Sequence, residues 1–172
     1  IFCGSGSTAA VDKLIGILNL RIPADLDARF DLSRHIPADE RPVVFIGPYE
    51  HHTNELMWRE AFADVVVVGF DSRGLLDLKD LEEKLALPDL KERTKIVSMS
   101  AGSNITGIRT PVFEVARIGH AYGAQVFFDF AAVAPYIEID MNRDEEAYFD
   151  AIFFSPHKFL GGPGSSGILV FN

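Results

Sequence analysis

Short apolar runs alternate along this chain with stretches whose apolar residues recur every three or four positions, and that alternation predicts repeated βα units. Val43-Val44-Phe45-Ile46, Val65 to Val68, Lys95-Ile96-Val97-Ser98, Gln125-Val126-Phe127-Phe128, Ala151-Ile152-Phe153-Phe154 and Gly167 to Val170 are too short for ordinary helices and rich in β-branched or aromatic residues. With a trace of strand at Ile1-Phe2, about seven strands of a largely parallel sheet are expected. Helical spacing covers Ser7 to Leu20, Asn54 to Phe62, Asp77 to Leu87 and Pro111 to Tyr122. The last of these opens on Thr110-Pro111, read as a capping residue before a first-turn proline, and closes before Gly123. Arg21 to Pro42 is polar and proline-bearing without a clear period, and Met141 to Tyr148 reads as a charged connector. Neither an internal repeat nor a second domain is evident.

Composition narrows the possibilities. A length of 172 residues supports one domain with a real core, and 48% hydrophobic content marks a globular chain. The net charge of -9, with only 16 Lys and Arg, argues against a nucleic-acid partner. One cysteine excludes an internal disulfide framework, and no apolar stretch has membrane-spanning length, so a cytoplasmic location is expected. Ile1-Phe2-Cys3-Gly4 does not read as a signal peptide and there is no initiator methionine; a segment of a longer protein is expected.

The candidate chemistry lies where strands should end. Ser155-Pro156-His157-Lys158 follows an apolar strand and precedes the glycine-rich Gly161 to Gly164, and ligands in open α/β sheets sit at the carboxyl ends of strands. A partly desolvated amine at Lys158 suits Schiff-base formation with an aldehyde; the alternative is a solvated loop lysine. Gly4-Ser5-Gly6-Ser7-Thr8 leads into the first helix as a phosphate cradle, or as a plain glycine-rich turn. In Glu50-His51-His52-Thr53-Asn54, adjacent histidines point apart and lack metal-ligand spacing, so one imidazole stacking on a flat ring is preferred to a metal site. Ser103-Asn104 with Gly107 forms a polar loop, its Asn104 either a turn former or a donor to a ligand. Asp129 ends a strand expected to be buried, so its carboxylate calls for a cation: an ordinary Arg, or a protonated pyridine nitrogen.

Taken in order, Gly-Ser-Thr, Glu-His-His-x-Asn, Ser-Asn-x-x-Gly, Asp-x-Ala and Ser-x-His-Lys resemble the class V aminotransferase superfamily of pyridoxal-phosphate enzymes, which includes cysteine desulfurases and selenocysteine lyases. The resemblance spans Phe2 to Phe171. It implies a three-layer α/β/α fold type I large domain with a mixed, mostly parallel seven-stranded sheet, the last strand antiparallel at Gly167 to Phe171. The same resemblance makes Lys158 the Schiff-base lysine and proton shuttle, Asp129 the partner of the pyridine nitrogen, and His51 the residue stacked on the ring with a part in proton transfer. Asn104 falls near the ring hydroxyl, Ser7 and Thr8 in the phosphate turn, and Ser155 and His157 beside the phosphate and the lysine.

Two departures stand out. Asp129-Phe130-Ala131-Ala132 has alanine where cysteine desulfurases carry a glutamine that bonds the cofactor's ring oxygen, and the turn from Gly161 to Gly167 is longer and richer in glycine than usual. The resemblance further implies an amino acid substrate, a homodimer of the full-length protein, and a missing small domain that carries the arginine for the substrate carboxylate. The chain is therefore expected to form the cofactor platform and to be weakly active or inactive alone. Two other readings stay open: a phosphate- or nucleotide-binding α/β module, and a non-catalytic domain with Asp129 in a core salt bridge.

Overall fold

Strands without a polar face must be covered on both sides, and the sheet is built accordingly. The computed structural model describes all residues, Ile1–Asn172. Its strands are β1 (Phe2–Ser5), β2 (Val43–Ile46), β3 (Asp64–Val67), β4 (Lys95–Ser100), β5 (Gln125–Asp129), β6 (Ala151–Phe154) and β7 (Ser166–Phe171). They form one seven-stranded sheet in the order β1-β7-β6-β5-β4-β2-β3. The pairs from β3 across to β6 are parallel, whereas β7 runs antiparallel to both β6 and β1. Two reversals in succession return β1 to the direction of β6. The carboxyl ends of six strands therefore share one edge, and Ser5 stands on the same edge as Phe154.

Alternate residues of each strand feed two separate cores. Val43, Phe45, Val97, Val126, Phe128 and Ile152 pack with α4 (Leu78–Leu85) and α5 (Val112–Ala121) on one face. Val44, Ile46, Ile96, Phe127, Ala151 and Phe153 pack with α1 (Gly6–Ile17) and α3 (His52–Arg59) on the other. This is a three-layer α/β/α arrangement, and each fully buried Val, Ile, Leu or Phe contributes about 1.5–3 kcal/mol. Trp58 of α3 is fully buried, lies stacked on Phe127 with ring centroids 6.2 Å apart, and shares its indole N–H between Asn54 Oδ1 and Ser98 Oγ at 3.0 Å each. Gly119 lets α5 approach β5, because a Cβ there would fall 2.6 Å from Val126 Cγ2.

Helix ends depart from the expected bounds for definite reasons. The first helix stops at Ile17, three residues early, because Asn19 adopts φ 57 and Leu20 N–H turns back to the Ile15 carbonyl. The end of α5 follows the same motif with Gly123 at φ 71, in keeping with the expected stop. Thr110 is not the cap expected at its start. Its hydroxyl donates 2.5 Å to the Ser100 carbonyl, and Pro111 holds the N-cap position without any side-chain bond.

The stretch expected to be without period contains α2 (Ala24–Phe30) and two 3-10 turns, Leu32–His35 and Ala38–Glu40. None of their residues is buried, so there is no apolar stripe from which the spacing could be read. The segment is tied locally instead: Asp27 accepts bonds from the Ser33 backbone N–H at 2.6 Å and from its hydroxyl at 2.9 Å.

Candidate active site

The chain turns at Gly6 from β1 into α1, with φ 64. A side chain at Gly6 would be strained there and would come within 3.0 Å of His157 Cε1. Ser7 N–H donates 2.8 Å to Ser155 Oγ, which fastens the start of α1 to the end of β6. Ser5, at the N-cap position, places no side-chain bond on the first turn. The first turn of α1 is thus capped from β6 by Ser155 and not by its own N-cap residue, and its positive end lies at the strand ends.

Asp129 closes β5 at the same edge, paired with Ser100 of β4 and Phe153 of β6. Its Oδ1 accepts the Ala131 N–H at 2.8 Å, and no Lys, Arg or His lies within ion-pair distance of either oxygen. The core salt bridge held open from the sequence is not formed. Burial pushes the Asp129 carboxyl up to about 7; the Ala131 N–H pulls it down, the Glu50 charge pushes it up, and Lys158 pulls it down. The carboxylate lacks a counterion.

Glu50, passed over as a candidate in the sequence, occupies the space between β2 and β4. Its carboxylate accepts from Gly47 N–H at 3.0 Å, Asn54 Nδ2 at 2.7 Å, Ser100 N–H at 2.8 Å and Ser100 Oγ at 2.6 Å. Burial raises this carboxyl above its ordinary range, and those four donors pull it down. The only local hint was Gly47 three residues earlier, where a Cβ would sit 2.5 Å from Glu50 Oε1.

His51 is the N-cap residue of α3, and its Nδ1 accepts the Thr53 backbone N–H at 3.2 Å. Desolvation, then the positive charges of Lys158 and His52, holds the imidazole below its usual value. His52 does not line the cleft. Lys158 ends the 3-10 turn Pro156–Lys158, exposed and without an ion pair, so the partial desolvation expected of its amine is not supplied by this chain. Ser103 accepts from Ile105 N–H and Thr106 N–H at 3.2 Å each, which makes it the turn former and leaves Asn104 free of that task.

A cleft of about 300 Å³ opens at this edge and collects Ser7, Thr8, His51, Asn104, Asp129, Ser155, His157 and Lys158, all eight residues singled out in the sequence. Thr53, Ser100, Gly102 and Ala132 also line it and were not singled out as site residues. Among the lining residues only Ala131 and Ala132 are apolar, so the cavity suits a polar ligand. An accessible amine, a carboxylate with no counterion, a histidine and the N-terminal end of α1 face one space. Together they can bind an anion at one end and a cationic ring atom at the other. No group of three His, Cys, Asp or Glu residues is arranged to hold a metal ion.

Residues 32–172 match the family model described as Aminotransferase class-V. A probable cysteine desulfurase of Halalkalibacterium halodurans is 33% identical over 130 residues, which cover 73% of this chain and 30% of that protein. A probable cysteine desulfurase 2 of Mycobacterium leprae is 29% identical over 171 residues, 94% of this chain and 38% of that one. Among solved structures, a NifS-like protein from Rickettsia africae superposes with a TM-score of 0.63 at 26% identity, over 74% of this chain and 34% of the other. The cysteine desulfurase of Thermococcus onnurineus shares the fold, with a TM-score of 0.72 at 23% identity over 100% of this chain and 38% of that chain. The chain spans well under half the length of each of these relatives. It belongs to the class-V aminotransferase family.

Proposed function

We propose that this class-V aminotransferase chain is the cofactor-binding large-domain part of a pyridoxal-phosphate-dependent enzyme that acts on an amino acid. The observation that carries the reading is Asp129: a buried carboxylate with no counterion in the chain, opening into the same cleft as the Lys158 amine. The residues present fit the cofactor at each end. A protonated ring nitrogen would supply the charge that Asp129 lacks, and the first turn of α1, which holds Ser7 and Thr8, would offer a phosphate the Ser7 hydroxyl and the N–H groups other than that of Ser7. When bound, pyridoxal phosphate supplies an electron-accepting ring for charge developing at the substrate α-carbon.

The chain's own residues do the rest. Lys158 would hold the cofactor aldehyde through Nζ and afterwards carry the α-proton, His51 would cover one face of the ring, and Asn104 would approach its hydroxyl. Ser155 holds the start of α1 through the Ser7 N–H, and His157 stands beside that turn. Ala132 lines the cleft with a side chain that carries no hydrogen-bond donor. Cysteine is the first substrate to try, because the relatives named above carry the name cysteine desulfurase. A homodimer of the longer protein and a cytoplasmic location belong to the same reading; no helix is long and apolar enough to cross a membrane.

The test is to add pyridoxal phosphate to the protein and record its visible absorption. Wild type is expected to develop a band that Lys158→Ala lacks and Asp129→Asn weakens. A Lys158→Ala spectrum identical to wild type would overturn the reading.

A further inference from the structure

Thr53 lies in the cleft wall at a junction that the cofactor reading leaves unused. It is the second residue of α3 and buried, and its Oγ1 stands 3.1 Å from Thr8 Oγ1 and 3.1 Å from His51 Nδ1. Its backbone N–H approaches the same His51 Nδ1 at 3.2 Å. A backbone N–H can only donate, so Nδ1 must offer its lone pair, and the proton of a neutral imidazole then resides on Nε2. With Nδ1 committed as an acceptor, the hydroxyl contacts acquire a direction. Thr53 O–H donates to Nδ1, and Thr53 Oγ1 accepts from Thr8 O–H.

We propose that Thr53 is a positioning residue whose backbone N–H and hydroxyl together lock His51 in the Nε2–H tautomer. The role deepens the cofactor reading and rests on it, since His51 is there the residue that covers the ring. The lock does two things. It prevents rotation of the imidazole about its Cβ–Cγ bond, because turning the ring would leave both Thr53 donors without an acceptor. It also commits Nε2, the ring nitrogen not held by Thr53, to act as a hydrogen-bond donor. Desolvation and the neighbouring Lys158 and His52 charges favour the neutral ring, in which this choice of tautomer exists. Glu50 supports the arrangement from the preceding residue, since its carboxylate anchors the same loop to Gly47, Asn54 and Ser100.

The test is a long-range proton–nitrogen correlation spectrum of the ¹⁵N-labelled chain without cofactor, near pH 8. Wild type is expected to show His51 with Nε2 protonated and Nδ1 bare. Thr53→Val keeps the backbone donor but removes the hydroxyl, and should shift at least a fifth of the population toward the other tautomer; Thr53→Ser should restore the wild-type pattern. Wild type with the proton on Nδ1, or Thr53→Val indistinguishable from wild type, would overturn the proposal. Thr53→Ala replaces the valine variant if circular dichroism shows the latter unfolded, and the wild-type spectrum is decisive without either. No cofactor is needed, so a chain with the expected tautomer but no visible band with pyridoxal phosphate would sink the cofactor reading and leave the lock standing.

Discussion

Ser7 N–H and Ser155 Oγ, 148 positions apart in the chain, meet at 2.8 Å and join the start of α1 to the turn that carries Lys158. Both residues are buried at the floor of the cleft.

Ser155→Ala is accordingly expected to lower stability by about 1–2 kcal/mol in urea unfolding, the magnitude of a buried donor left without its acceptor. The same variant should bind pyridoxal phosphate more weakly, because the first turn of α1 loses its anchor. Equal stability and equal affinity would show that the bond positions nothing.

The uncompensated Asp129 carboxyl makes the cofactor-free chain sensitive to pH in a definite direction. Its folded value, about 7, lies above the ordinary 3.8, so the folded state holds the proton more tightly. That stability is fully present below the unfolded value and is lost as pH rises through about 7. The full swing is on the order of 4 kcal/mol as an upper bound. Asp129→Asn should remove this contribution, so thermal melts should show the variant gaining on wild type between about pH 5 and about pH 8. Glu50 is raised as well and its charge acts on Asp129, so the difference between the two proteins includes their mutual repulsion. A stability difference independent of pH would contradict the assignment.

Lys158→Ala should separate chemistry from folding. The lysine is exposed and makes no ion pair, so its loss should change unfolding stability by no more than about 0.5 kcal/mol. A large loss of stability would mean that the amine has a structural partner.

Gly119→Ala tests the close approach of α5 to β5. The added methyl would fall 2.6 Å from Val126 Cγ2 and 3.5 Å from Val97 Cγ2, and a packed sheet cannot yield without shifting the helix. A loss of about 1–3 kcal/mol is expected in urea unfolding, even though alanine is the better helix former. A gain in stability would show that the helix moves freely.

Most strands and helices, and the residues that come to line one cleft, were legible in the chain alone. Runs such as Val43 to Ile46 and Gln125 to Phe128 showed their strand character because both faces are buried, and Lys158 and Asp129 stood out because polar groups there interrupt or follow such runs. The helix at Ala24–Phe30 escaped notice for the converse reason: it buries nothing, so its composition carries no period. Relations between segments remote in the chain were not legible there and arise from packing. The pairing of Ser7 with Ser155, the seating of Glu50 against Ser100 and the bridge from Thr8 through Thr53 to His51 all follow from strand order. That order is decided by how two layers of helices cover one sheet, and residue spacing along a single element does not encode it. The absence of a counterion at Asp129 is of the same kind, since a counterion could have come from any segment and only the packed whole shows that none supplies it.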